Sequence, residues 1–452
     1  MAELPPAHDP SGAGDGTASG GRVIAAQPDE AVAARHDIQH YMRPGTLMLP
    51  ASPPLSLYVH LPWCLRKCPY CDFNSHEWLT AGAAPQKASP LAVVGEGELT
   101  PRTQDLPEQR YVDALIADLE ASLPLIWGRP IQSVFFGGGT PSLFSPASID
   151  RLVSAIRARL PLTPTCEITL EANPGTFETD RFRGFRQAGI TRLSVGVQSF
   201  SDEALQRIGR VHSADQARAA LREAAACFDT FNIDLMYALP GQTLAQLQDD
   251  LAQALSFAPP HLSVYHLTIE PGTWFAKHPP TLPEEDLAWD MLDAITAATA
   301  GAGMRRYEVS AYAKPGHGCV HNLNYWGFGD YLGIGAGAHG KLSFAHRVVR
   351  QVRVRNPQLY MARAEAGNAV AQEHEVARKA LPFEFMLNAL RLQEGFNLQD
   401  FADRTGLPQS AVAKPLAEAV AKGLLERRVN HIQPTARGFD LLSDLQELFL
   451  SE

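Results

Sequence analysis

The stretch "SLYVHLPWCLRKCPYCDF", residues 56–73, changes character halfway through. Its first six residues are mostly apolar and rich in strand formers, which predicts a buried β-strand. Cys64, Cys68 and Cys71 then follow in a C-x3-C-x2-C spacing, so three of the six cysteines in 452 residues fall within eight positions. A thiol-rich loop directly after a strand puts metal-type chemistry at a strand's C-terminal end, where α/β folds collect their ligands.

Downstream of this stretch the strand signal recurs. Short β-rich runs at 56–61, 133–139, 167–173, 192–198, 231–239 and 262–270 alternate with helical patterns such as "EQRYVDALIADLEASL" and "SADQARAALREAAACF". That rhythm predicts βαβ units, a parallel sheet, and an α/β fold built as a doubly wound sheet or an open barrel. "GGGTPS", Glu171, Gln198 and Asp234 all follow apolar strand bodies, so they are expected at one end of the sheet.

Residues 1–50 contain "DPSGAGDGTASGG" and predict a disordered tail. The segment from about 79 to 107 reads as a mobile insertion. Residues 51–315 carry the strand–helix repeat, 316–370 read as a connecting segment, and 371–452 as a small winged-helix-like domain. Its candidate recognition helix, "QSAVAKPLAEAVAK", has no basic face, so DNA binding is not expected.

The net charge of -10 argues against nucleic acid or an anionic membrane as the main partner. Hydrophobic residues at 45% and charged residues at 19% are ordinary for an enzyme-sized protein with a core. No membrane span, secretory signal or transit segment is expected, and the location reads as cytoplasmic. In that reducing compartment a tight cysteine cluster points to metal or catalysis rather than disulfides.

Two metal centres compete for Cys64, Cys68 and Cys71. A structural zinc site needs four closed ligands, and His60 and His76 flank the triplet. A 4Fe–4S cluster with three thiolates and one open iron fits the triplet better, because no matching second cysteine pair follows. Cys166 and Cys227 read as buried small hydrophobes.

"SLYVHLPWCLRKCPYCDF" followed by "GGGTPS" resembles the radical S-adenosylmethionine (SAM) superfamily. The likeness extends over roughly residues 52–452 to the oxygen-independent coproporphyrinogen III dehydrogenase family, and most closely to its haem-chaperone branch. It implies a partial (β/α)6 barrel. It also implies a cluster on Cys64, Cys68 and Cys71 whose open iron is chelated by SAM's amino and carboxylate groups. Electron transfer to the sulfonium would then give a 5'-deoxyadenosyl radical.

By the same resemblance Tyr58, Phe73, Gly138, Gly139, Thr140, Glu171, Gln198, Arg210 and Asp234 are expected around SAM. Glycines 137 to 139 let a backbone approach a ligand closely, and their N–H groups are expected to be free to hold its carboxylate. The dehydrogenase has a further cysteine two places after the third, where this chain has Phe73. That difference points away from oxidative decarboxylation of coproporphyrinogen III and towards the chaperone branch.

"HNLNYW", residues 321–326, points the same way. The resemblance implies His321 as a haem-iron ligand, with Tyr325 and Trp326 as flat surface for the porphyrin. Cys319 and His339 are rival ligands. The implied activity is to bind haem and pass it to an acceptor protein, with a respiratory-chain or membrane-associated protein as the candidate acceptor. The cluster loop at the barrel mouth suggests a homodimer governed by cluster occupancy.

Overall fold

The computed structural model describes residues 38–78, 106–175 and 180–450. Six strands run parallel in sequence order: β1 (Leu55–Leu61), β2 (Ile131–Gly138), β3 (Leu162–Ala172), β4 (Arg192–Gln198), β5 (Thr230–Tyr237) and β6 (His261–His266). These are the six runs expected from the sequence. β1 is buried at nearly every position, as a parallel strand covered on both faces must be. The connecting helices turn apolar stripes to the sheet. Two of them, Ala214–Cys227 and Leu244–Ser256, begin with a capping box, from Ser213 with Gln216 and Thr243 with Gln246.

The sheet is larger than the repeat alone predicts. It continues through β7 (Arg305–Glu308), β8 (Ala311–Ala313), β9 (Asp330–Ile334), β10 (His339–Phe344), β11 (Arg347–Arg353) and β12 (Val370–Glu375). The order across the twelve strands is β12-β11-β10-β9-β1-β2-β3-β4-β5-β6-β8-β7. β9 lies parallel to β1, and β10 to β12 extend that edge in antiparallel fashion. The segment 316–370, expected only to connect, is therefore a structural wing of the sheet. It is anchored by buried Asp330, which meets Lys341 at 3.0 Å and Arg129 at 2.8 Å.

The tail boundary at residue 50 is also corrected. Residues 38–50 pack onto the domain. Ile38–Met42 is helical, and buried Tyr41 stacks on Phe344 at 4.8 Å and donates to Glu373 at 2.7 Å. Leu47 and Leu49 join the C-terminal core with Phe385, Phe401 and Leu416. Burial of Tyr41, Leu47 and Leu49 docks this stretch together with hydrogen bonds from Arg347 to the Arg43 and Pro44 carbonyls. Residues 1–37 and most of the expected insertion lie outside the described residues. The C-terminal part is a set of helices with a three-stranded sheet whose hairpin pairs Leu425–Arg428 with His431–Pro434. No described helix is long and apolar enough to cross a membrane.

Candidate functional site

The cysteine loop leaves β1 and folds back under the C-terminal ends of the strands. Asn74 pins its far limb, donating from Nδ2 to Ala336 O and Arg355 O, both at 2.9 Å. This gives the glycine-rich segment before β10 a role. A side chain at Gly335 would meet His60 O at 2.4 Å, and one at Gly337 would meet Asn74 Nδ2 at 2.4 Å. Lys67 closes the loop by donating to Phe73 O at 2.9 Å.

Each of the three thiols has a hydroxyl or guanidinium neighbour, and Cys68 also meets the Tyr70 hydroxyl. Thr140 Oγ1 donates to Cys64 Sγ at 3.5 Å, Arg210 Nη1 donates to Cys68 Sγ at 3.7 Å, and Ser75 Oγ lies 3.6 Å from Cys71 Sγ. Burial pushes the Cys64 thiol up to about 12 and also raises Cys71. Bound iron would supply the positive charge that such buried thiolates need.

Among the described residues no trio of His, Cys, Asp or Glu is placed to hold a single metal ion. Tetrahedral zinc with sulfur at about 2.3 Å draws its ligands within roughly 4 Å of one another. Thiolates on separate corners of a cube stand farther apart. His60, weighed as a zinc ligand, is a buried prop instead. Its Nδ1 meets Tyr58 Oη at 3.0 Å, its Nε2 meets Asn74 O at 3.0 Å, and burial lowers it to about 4. Three thiols gathered on one loop, each meeting a donor, are a donor set that suits a cluster held at three corners.

The glycine run works differently from expectation. Gly139 N–H donates to Leu61 O at 2.8 Å, and Gly138 N–H reaches Glu171 Oε2 at 3.3 Å. These donors are already engaged, so they are not a free cradle for a carboxylate. The glycines are required for approach: a side chain at Gly138, where φ is +113°, would meet the His60 ring at 2.5 Å.

Glu171 ends β3, and burial raises its carboxyl to about 7, with Asp234 adding to the effect. Asp234 is held by Ser194 and Asn232 at 3.1 and 2.7 Å. Gln198 sits at a register shift in β4 with φ +70°, a bulge the sequence does not announce.

A raised carboxyl has a predictable consequence. The folded chain keeps the Glu171 proton up to about pH 7, whereas the unfolded chain releases it near 4.5. Its share of stability is thus present below pH 4.5 and lost as pH rises through 7, by roughly 3 kcal/mol at most. Glu171→Gln should raise the melting temperature of cluster-free protein at pH 8 and leave it unchanged at pH 4. Equal melting temperatures at pH 8 would refute the reading.

One pocket, enclosing about 660 Å³ including its open mouth, joins two groups that the sequence presents as separate. Tyr58, Phe73, Gly138 and Glu171 line it together with His321, Tyr325, Trp326, Tyr331 and His339, and the Tyr58 and His321 rings lie 6.3 Å apart. His321 lies on the helix Val320–Trp326. Its ring packs 4.9 Å from Phe135, its Nδ1 is 3.1 Å from Ser133 Oγ, and burial lowers it to about 3. Cys319, a rival ligand, points elsewhere: it is buried and donates to Glu167 at 3.5 Å. Cys166 and Cys227 are only partly buried. Tyr331, which sequence reasoning missed, donates to Tyr325 Oη at 3.2 Å and accepts from Arg350 at 3.1 Å. Arg350 also binds Glu384 of the C-terminal part at 2.7 Å.

Comparison with known proteins agrees with this architecture. Residues 58–254 match the radical SAM superfamily and 376–441 match the HemN C-terminal domain. The heme chaperone HemW of Escherichia coli K12 is 44% identical over 402 residues, covering 88% of this chain and 99% of that protein. Its counterpart in Haemophilus influenzae is 45% identical over 410 residues, covering 89% and 100%.

The chain belongs to the HemW family.

A more distant HemW, from Bacillus subtilis, is 31% identical over 408 residues. Among solved structures, coproporphyrinogen III oxidase HemN from E. coli shares the fold, with a TM-score of 0.71 at 24% identity over 88% of this chain and 90% of that one. As a radical SAM protein the family member uses a 4Fe–4S cluster and S-adenosylmethionine.

Proposed function

We propose that the protein is a cytoplasmic haem chaperone on a radical SAM scaffold, which binds haem in the shared pocket and passes it to an acceptor protein. Cys64, Cys68 and Cys71 would hold the cluster. Tyr58, Phe73, Gly138 and Glu171 would face SAM inside the pocket. Gly139 and Thr140 after β2, Gln198 at the end of β4, Arg210 on the loop beyond it and Asp234 within β5 would support that site. When bound, the cluster would supply an open iron for SAM's amino and carboxylate groups and a source of single electrons. Glu171, once ionised, would set a negative charge against the sulfonium.

His321 would be the haem-iron ligand. Its depressed basicity keeps the imidazole neutral at physiological pH, so protons do not compete with iron. Tyr325 and Trp326 offer flat apolar surface beside it. The observation that carries this reading is that HNLNYW residues and residues expected around SAM line one and the same pocket. The names of the close relatives support it. The acceptor would be a respiratory or membrane-associated haem protein, and loading of the cluster at the pocket mouth would govern dimerisation.

The competing reading is coproporphyrinogen III oxidation, which the fold shared with HemN permits. One anaerobic sample, reconstituted with iron and sulfide and given SAM and reductant, discriminates between them. Haem binding, read as a Soret band, without coproporphyrinogen turnover is expected. Protoporphyrinogen formed at catalytic turnover would overturn the chaperone reading.

A further inference from the structure

We infer that Asn173 is a positioning residue that aims hydrogen-bond donors at two of the three cluster-bearing sulfurs and thereby sets the cluster's reduction potential. The inference rests on the ligand assignment proposed above. Asn173 follows β3 in "LEANPG", and its backbone N–H is tied to Ser142 Oγ at 3.2 Å. Its side chain bridges two elements. Arg210 Nη2 donates to Asn173 Oδ1 at 2.7 Å and to Gly196 O at 2.7 Å, while Nη1 of the same guanidinium donates to Cys68 Sγ. Asn173 Nδ2 donates to Thr140 Oγ1 at 2.9 Å, and Thr140 Oγ1 donates to Cys64 Sγ.

The direction of this chain is fixed by its first member. A guanidinium can only donate, so the amide must turn its oxygen to Arg210 and its NH2 to Thr140. Thr140 then accepts from the amide, and its own proton is left for Cys64. Donors on cluster sulfurs stabilise the reduced, more negative state and raise the potential. Ser75 beside Cys71 belongs to no part of this chain and serves as an internal control.

Asn173→Asp keeps the shape and the Arg210 contact but removes the amide donor that faces Thr140. The threonine hydroxyl would then turn to the new carboxylate and leave Cys64. The test is an EPR-monitored redox titration of reconstituted protein without SAM, with iron content measured for every variant. Asn173→Asp and the isosteric Thr140→Val should each shift the midpoint to more negative values at full cluster occupancy. The Asp substitution should shift it less in the Thr140→Val background than in wild type, and by an undiminished amount in a Ser75→Ala background. A wild-type midpoint in fully loaded Asn173→Asp or Thr140→Val, or equal Asp shifts with and without the threonine hydroxyl, would overturn the inference. Absence of a cluster from the wild-type protein would instead sink the ligand assignment.

Discussion

Cys68→Ala should leave the protein colourless after anaerobic treatment with iron and sulfide, with iron content falling to background. Cys68 occupies the middle of the triplet, and its loss leaves two thiols where a cube needs three protein corners. None of the three hydrophobic cores among the described residues includes Cys68, so the substituted chain should fold and elute as the cluster-free wild type does. SAM affinity should fall with the cluster, because the open iron is the chelating site for its amino and carboxylate groups. Brown absorbance and full iron in Cys68→Ala would overturn the ligand assignment. Stoichiometric zinc with no iron uptake in wild type would restore the zinc alternative.

The second large effect concerns haem. His321→Ala should weaken haem binding by roughly 10-fold or more, about 1.4 kcal/mol or more, and shift the Soret band. The imidazole is not replaceable by its neighbours. Cys319 is turned to Glu167, and Tyr325 is engaged with Tyr331. His339 lines the same pocket from the exposed start of β10, whereas His321 is buried beside Phe135, so His339→Ala should leave the spectrum close to wild type. An unchanged band and affinity in His321→Ala, with a changed band in His339→Ala, would transfer the ligand role to His339. The cluster is a built-in control, since iron and sulfide content should match wild type in both variants.

Some of this site is plain in the linear chain because its code is local. Alternation of β-rich runs with amphipathic helices is set within windows of about ten to twenty residues. All six strands that the pattern predicts appear where it puts them, whereas the parallel strand β9 is not among them. The triplet of cysteines and the glycine run are likewise contiguous. Glu171 can be named because it lies at the end of an apolar strand body, whereas Asp234 sits within β5 and is reached through the family resemblance.

Other features depend on partners far away in sequence. Asn173 looks like a turn residue until Arg210 and Thr140 arrive on either side of it. The glycine N–H groups look available until Leu61 and Glu171 claim them. Residues 38–50 read as part of a polar tail, because Tyr41, Leu47 and Leu49 have no periodic neighbours. Their burial comes from Phe344 and from the C-terminal core.

The sequence by itself determined the parallel α/β core, the three-thiol loop after the first strand, and the two residue groups available for chemistry. Tertiary structure alone decided that those groups share one pocket, that His60 is a prop, and that each thiol meets a donor. Thr140 reaches Cys64 across 76 positions, Arg210 reaches Cys68 across 142, and Ser133 reaches His321 across 188. Strand register and helix packing set such contacts. These arise from burial of apolar surface across the whole chain, and no short window of residues encodes them.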